Sequence, residues 1–158
     1  MRRTLTIAAA VALLVAIPAA VIAANGVFGG ALDRQAGAWT TTSATTSSTN
    51  WRNVPRLKLT RCTRSQVTAM LSVTLSGAPV QFRAIIDGVP EAPMQPGTAR
   101  FDPEGTESFA YNFVGPTAPF EADDTHSFTV QWRSPTGNAV TMQRGALNLL
   151  FQNGTQGC

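Results

Sequence analysis

After residue 50, apolar and polar positions alternate, and the alternation breaks at Gly, Pro, Asn and Asp rather than drifting into a helical period. Over residues 67–75, Val67, Ala69, Leu71, Val73 and Leu75 share one parity, while Thr68, Met70, Ser72 and Thr74 share the other. A period of two places successive side chains on opposite faces of a strand, and the β-branched content suits a pleated surface. Gly77, Ala78 and Pro79 turn the chain. Val80, Phe82, Ala84 and Ile86 then form a second inward set, ended by Asp87 and Gly88. The short turn predicts these two strands as sheet neighbours.

The same pattern recurs before and after this pair. Leu57 and Leu59 alternate with Lys58 and Thr60 as a short first strand with its charged side in water. A Pro-rich loop over 89–97 precedes a short strand near 98–101, and Asp102, Pro103, Glu104 and Gly105 make a turn before the inward row Phe109, Tyr111 and Phe113. Residues 126–152 predict a packed hairpin. His126, Phe128, Val130 and Trp132 face inward, Pro135, Gly137 and Asn138 turn, a return strand spans 139–143, and Leu147, Leu149 and Phe151 line a closing core strand with Leu150 on the other side. Seven or eight short strands with frequent turns predict an all-β fold, an antiparallel β-sandwich of jelly-roll-like kind.

The N-terminal segment differs in kind. Arg2 and Arg3 precede an apolar run over 5–22 and the small pair Ala23 and Ala24, the make-up of an export signal over residues 1–24. The alternative is an uncleaved membrane anchor, because the run approaches the roughly 20 residues that span a bilayer. Residues 25–51 predict a disordered Ser/Thr-rich linker, since 40–49 is almost wholly Ser, Thr and Ala, which bury too little to offset their ordering entropy. The β-sandwich domain is then expected over 52–158. Cys62 and Cys158 are the only two cysteines, and in an oxidising compartment an even pair at the two ends of a domain predicts a disulfide.

Charge narrows the chemistry. The chain carries a formal +3, and loss of Arg2 and Arg3 with the signal leaves about +1 with a single Lys. This is too little positive surface for non-specific phosphate binding, and nucleic acid is not an expected partner. Arg52, Arg56, Lys58, Arg61 and Arg64 form a run without an acid; it predicts a solvated edge, with an anionic envelope polymer as the sharper alternative. Eight of the nine acidic residues fall between Asp87 and Asp124. Asp102, Glu104 and Glu107 in one turn, with Asp123 and Asp124 in another loop, could supply oxygen ligands to calcium if the loops meet. No EF-hand spacing is present, and no other cofactor is expected. Zinc would need several His or Cys ligands. His126 is the only histidine and no G-x-S-x-G elbow surrounds a serine, so an enzyme is not expected. His126 is expected to bond a loop carbonyl. Trp39 and Trp51 bracket the Ser/Thr tract, and Trp51, Tyr111 and Phe120 are the aromatics proposed to meet a ligand, since a Trp can stack on a sugar ring.

The run His126-Ser-Phe-Thr-Val-Gln-Trp132-Arg133, a Gly-containing turn and an apolar last strand is similar to the C-terminal segment of C1q/TNF-like jelly-roll modules of bacterial secreted and phage-associated proteins. There, H-x-V-x-V-x-W precedes a G-G-T-type turn and an R-x-L-x-V strand. Here Thr136-Gly137-Asn138 and Arg144-Gly145-Ala146-Leu147 stand in those places, and the match covers residues 126–151. The resemblance implies a sandwich that binds other molecules or assembles with copies of itself, and it carries no catalytic residues. The combined expectation is an exported, non-enzymatic protein with a binding or structural role at the cell envelope or outside the cell. The alternatives are a carbohydrate-binding module and a glycan hydrolase using the loop carboxylates. Its expected partner is an envelope or extracellular molecule, a glycan among them, or a second copy of the chain, and it meets a membrane only if residues 1–24 are retained.

Overall fold

A computed structural model describes residues 26–28 (backbone only), 35–63, 66–90, 93–115 and 125–152. All regular structure among them is β. The strands are β1 (Gly26–Phe28), β2 (Gln35–Thr40), β3 (Ala44–Thr46), β4 (Arg52–Cys62), β5 (Val67–Gly77), β6 (Val80–Ile86), β7 (Ala99–Phe101), β8 (Thr106–Val114), β9 (Thr125–Arg133) and β10 (Val140–Phe151). They form two antiparallel sheets. Sheet A runs β1-β2-β10-β5-β8, with β3 also paired to β10, and sheet B runs β4-β9-β6-β7.

The two predicted hairpins are not hairpins. β5 lies in sheet A and β6 in sheet B, and β9 and β10 are divided in the same way. The turn at 77–79 and the loop at 134–139 are arches that carry the chain from one sheet to the other. Side-chain parity is the same whether a strand pairs with its sequence neighbour or crosses to the opposite sheet, so periodicity alone does not separate the two cases. The arches stack. Ala78 donates its N–H to Ala139 O at 3.0 Å, which brings β5 beside β10, with Val140 opposite Gly77, and β6 beside β9, with Gln81 opposite Arg133.

β10 is one strand where the sequence predicts two. Its pairing to β5 shifts between Met142 and Arg144, so that Gln143 is the extra residue of a bulge. The bulge changes the parity, and Val140 and Met142 before it face the core together with Gly145, Leu147, Leu149 and Phe151 after it. Leu150 points away and is 41% exposed.

The stretch predicted as a linker supplies three strands, β1, β2 and β3. β2 pairs with β10 from Gln35 to Thr40, and β3 continues along the same edge before the bulge, with Thr46 opposite Val140. Ala36, Ala38 and Thr40 are buried. The Ser/Thr tract is ordered by hydroxyl groups that satisfy the backbone locally. Thr40 Oγ1 accepts from Thr42 N, Thr46 Oγ1 from Ser48 N, and Ser48 Oγ from Asn50 N. The ordered sandwich therefore includes β2 and β3, ahead of the expected boundary at Arg52. The signal segment 1–24 lies outside the described residues.

Between the sheets, Leu57, Leu59, Leu71, Leu75, Phe82, Phe113, Phe128, Trp132 and Phe151 form one buried cluster. The side opposite β4 is closed by Phe101 of β7, stacked on Phe109 of β8 at 4.8 Å between centroids. Pro93 bridges to Ile85 in sheet B and Gln95 to Val114 in sheet A, with the intervening Met94 buried.

The stacked arches make Gly77 the most constrained turn position. Its φ is +101°, and a Cβ there would stand 2.6 Å from the backbone O of Ala139. Gly105 has a φ of +90° and nothing within 4 Å of a built Cβ. Gly77→Ala is expected to lower stability by about 3 kcal/mol or more, and Gly105→Ala by about 1 kcal/mol, as measured by urea unfolding.

Candidate binding face

The outward faces of the two sheets differ. On sheet A the register lines up Trp39, Ala146, Ser72 and Ala110 across four strands, and next to them Arg144, Thr74 and Ser108. Small residues at 146, 72 and 110 leave the middle of the face low. A trough of about 350 Å³ results, lined by Trp39 and Thr41 on one side and by Ser72, Thr74, Ser108 and Arg144 on the other. That volume falls in the range of small-molecule sites. Trp39 is 37% exposed. The polar wall is already organised: Arg144 Nε donates to Thr74 Oγ1 at 2.9 Å, and Thr74 Oγ1 shares a 2.9 Å hydrogen bond with Ser108 Oγ. Met70, Leu150 and Val114 are also exposed further along the face, and a second hollow lies between Gln35, Met70, Asn148 and Leu150.

Sheet B presents a polar outer face. Arg133 Nε donates to Gln81 Oε1 and Arg83 Nε to Gln131 Oε1, both at 2.8 Å. Trp51 is half-buried, with the guanidinium carbons of Arg83 and Arg133 4.5 and 4.7 Å from its ring centroid.

The aromatic residues proposed from sequence do not converge. Trp51 lies on sheet B. Tyr111 sits in the aromatic wedge between the sheet edges, 6.1 Å from Phe101 and 5.2 Å from Phe113. Phe120 lies outside the described residues. Phe109 and Trp39 both line the trough, and the sequence placed Trp39 in a linker. Its only local signal is the alternation of Ala36, Ala38 and Thr40 around it, which a three-residue pattern carries weakly.

The acidic turn is engaged internally. Asp102 pairs with Arg100 at 3.2 Å, and Glu107 Oε2 accepts from Glu104 N at 3.0 Å. Asp123 and Asp124 lie outside the described residues, and among the described residues no cluster of three metal-ligating side chains is present. Among them, too, no helix is long and apolar enough to cross a membrane.

His126 bonds a carboxylate instead of the loop carbonyl expected. Asp87 ends β6 with a φ of +52°. Its Oδ2 lies 2.7 Å from His126 Nδ1, its Oδ1 accepts from Ser127 N at 2.7 Å, and its own N–H donates to Ser127 O at 2.8 Å. The three bonds latch the end of β6 to the start of β9. His126 Nε2 is buried, so the imidazole does not offer a solvent-facing base. Cys62, at the end of β4, is not a free thiol, and Cys158 lies outside the described residues.

No family model and no curated protein matches this chain. Among solved structures it is similar to a family two carbohydrate esterase from Cellvibrio japonicus, with 15% sequence identity and a TM-score of 0.28, over 76% of this chain and 36% of the esterase. The chain thus spans about a third of that enzyme.

The latch yields a stability prediction. Asp87→Ala removes the acceptor of one backbone and one side-chain hydrogen bond and is expected to cost about 1–3 kcal/mol. Asp102→Asn, in an exposed ion pair, is expected to cost less than about 0.5 kcal/mol. Chemical unfolding of both variants beside the parent protein checks the contrast.

Proposed function

We propose that this is an exported, non-enzymatic binding module that holds a glycan in the trough on the outer face of sheet A. The observation that carries this reading is Trp39 facing a pre-bonded Arg144–Thr74–Ser108 row across a hollow floored by small residues. An indole offers a flat apolar surface to the C–H face of a sugar ring. Hydroxyl and guanidinium groups on the opposite wall offer donors and acceptors to its hydroxyls. Their mutual hydrogen bonds hold the wall in place before a ligand arrives, which lowers the ordering cost of binding. Export is supported by the basic start and apolar run of residues 1–24.

The proposal includes a disulfide between Cys62 and Cys158, the only cysteines in the chain. Gln152 donates its N–H to Gln66 O at 3.2 Å, so the end of β10 lies close to the segment that follows Cys62. Closing a loop of nearly a hundred residues stabilises by on the order of 4–5 kcal/mol on the chain-entropy model.

Retention on a panel of immobilised neutral glycans tests the binding reading. The parent protein should be retained on at least one, and Trp39→Ala should weaken that retention tenfold or more, about 1.4 kcal/mol. Tyr111→Phe should leave it unchanged. Absence of retention on every glycan, or equal retention by Trp39→Ala, rejects the reading. For the cysteines, alkylation of the secreted protein is expected to label neither residue before reduction and both afterwards; labelling without reductant would refute the bond.

A further inference from the structure

The two sheets end in edges of different kinds. On sheet B, β7 has three residues, and β4 carries Arg52, Pro55, Arg56 and Lys58, with Arg56 at a φ of +66° inside a break in its pairing to β9. On sheet A, β1 has three residues. Shortness, basic side chains, Pro and bulges all keep a sheet edge from pairing with another chain. β8 is the long, regular edge that lacks them. Its pairing with β5 runs unbroken from Ser76 opposite Thr106 to Thr68 opposite Val114, and it holds no Pro, Lys or Arg.

The open side of β8 follows from the bonds at its end. Gly115 N–H donates to Val67 O in β5, whereas Val114 N–H donates to Gln95 O and Gln95 N–H to Val114 O, both at 2.8 Å, on the side away from β5. Along an antiparallel strand, successive residues turn their N–H and C=O groups to opposite sides. Asn112, Ala110, Ser108 and Thr106 therefore turn theirs outward as Val114 does, and among the described residues these four find no backbone partner there. Beside them, Phe109 and Tyr111 of β8 and Phe101 of β7 are only partly buried. An apolar margin thus accompanies the open backbone.

We propose that β8 pairs with β8 of a second copy of this chain, antiparallel about a two-fold axis at Phe109. The edge is complementary to itself, as an isologous interface requires. In this register Ser108 meets Ala110 of the second copy and Thr106 meets its Asn112, so that all four outward residues are used and each pair exchanges two hydrogen bonds. An axis at Ala110 would set Thr106 against Val114, already bonded to Gln95. One at Ser108 would set Asn112 against Glu104, in the turn. With the axis at Phe109, the two Phe109 side chains form a close, non-hydrogen-bonded pair, an arrangement in which aromatic rings stabilise a sheet. Glu107, the charged residue of β8, accepts from Glu104 N at 3.0 Å and meets Tyr111 of the second copy, not a second carboxylate. On the outer face the line Trp39, Ala146, Ser72 and Ala110 continues into Ser108, Thr74 and Arg144 of the second copy, which joins the two troughs. The pairing itself does not rest on the glycan reading.

Sedimentation of the full exported protein, without glycan and over a concentration series, tests the assembly, and residue-resolved amide exchange locates it. A monomer–dimer equilibrium is expected. In the dimer the amides of Thr106, Ser108, Ala110 and Asn112 should exchange at least tenfold more slowly than in the monomer. Ala110→Pro removes an outward N–H and no bond to β5, and should weaken dimerisation at least tenfold. If that variant does not fold, the exchange pattern of the parent protein decides alone. The proposal is overturned by a protein that stays monomeric up to about 1 mM, by a trimer or larger assembly, or by a dimer whose four amides exchange as in the monomer. A folded Ala110→Pro that dimerises as tightly as the parent would overturn it as well.

Discussion

The hydrogen bond from Ala78 N to Ala139 O is where two sheet-crossing connections meet. One arch sends β5 into β6 and the other sends β9 into β10. Because the arches lie side by side, the four strands pair as β5 with β10 in one sheet and β6 with β9 in the other. Backbone groups inside a sandwich must find partners, and this arrangement satisfies them although neither β5 and β6 nor β9 and β10 share a sheet. Gly77 permits it. A side chain there would collide with the very carbonyl that accepts the bond.

The faces inherit their chemistry from that pairing. Arg144, Thr74 and Ser108 come from β10, β5 and β8, remote in sequence, and become one hydrogen-bonded row only because β5 sits between the other two. The bulge at Gln143 completes the row. Without it, Arg144 would share the parity of Val140 and Met142 and point into the core; with it, Gly145 takes the inward place and Arg144 turns outward. On sheet B the same arch places Gln81 across from Arg133 and Gln131 across from Arg83, and so creates two bonded pairs and the surface on which Trp51 rests.

Much of the fold was legible because strand parity is a local property. The inward rows Val67, Ala69, Leu71, Val73 and Leu75, and Phe128, Val130 and Trp132, are buried as alternation predicts. Strand partnership was not legible, because a turn such as Gly77-Ala78-Pro79 is compatible with a hairpin or with an arch. The Ser/Thr stretch misled for a related reason. Composition measures what a segment can bury on its own, whereas β2 and β3 are held by the open edge of β10 and by hydroxyl-to-backbone bonds. Trp39 was hidden with them, and the trough it borders joins residues from strands that sequence reasoning did not bring together.

The sequence by itself determined the all-β character, the sidedness of most strands and the absence of a conventional catalytic motif, since these depend on residue type and on spacing within a few residues. Only the tertiary structure decided which strands share a sheet, that Asp87 rather than a loop carbonyl holds His126, and which aromatics meet polar partners on a common surface. Those outcomes depend on contacts between residues far apart in the chain. Such contacts are chosen by the closure of two sheets around one core, a constraint that no local pattern encodes.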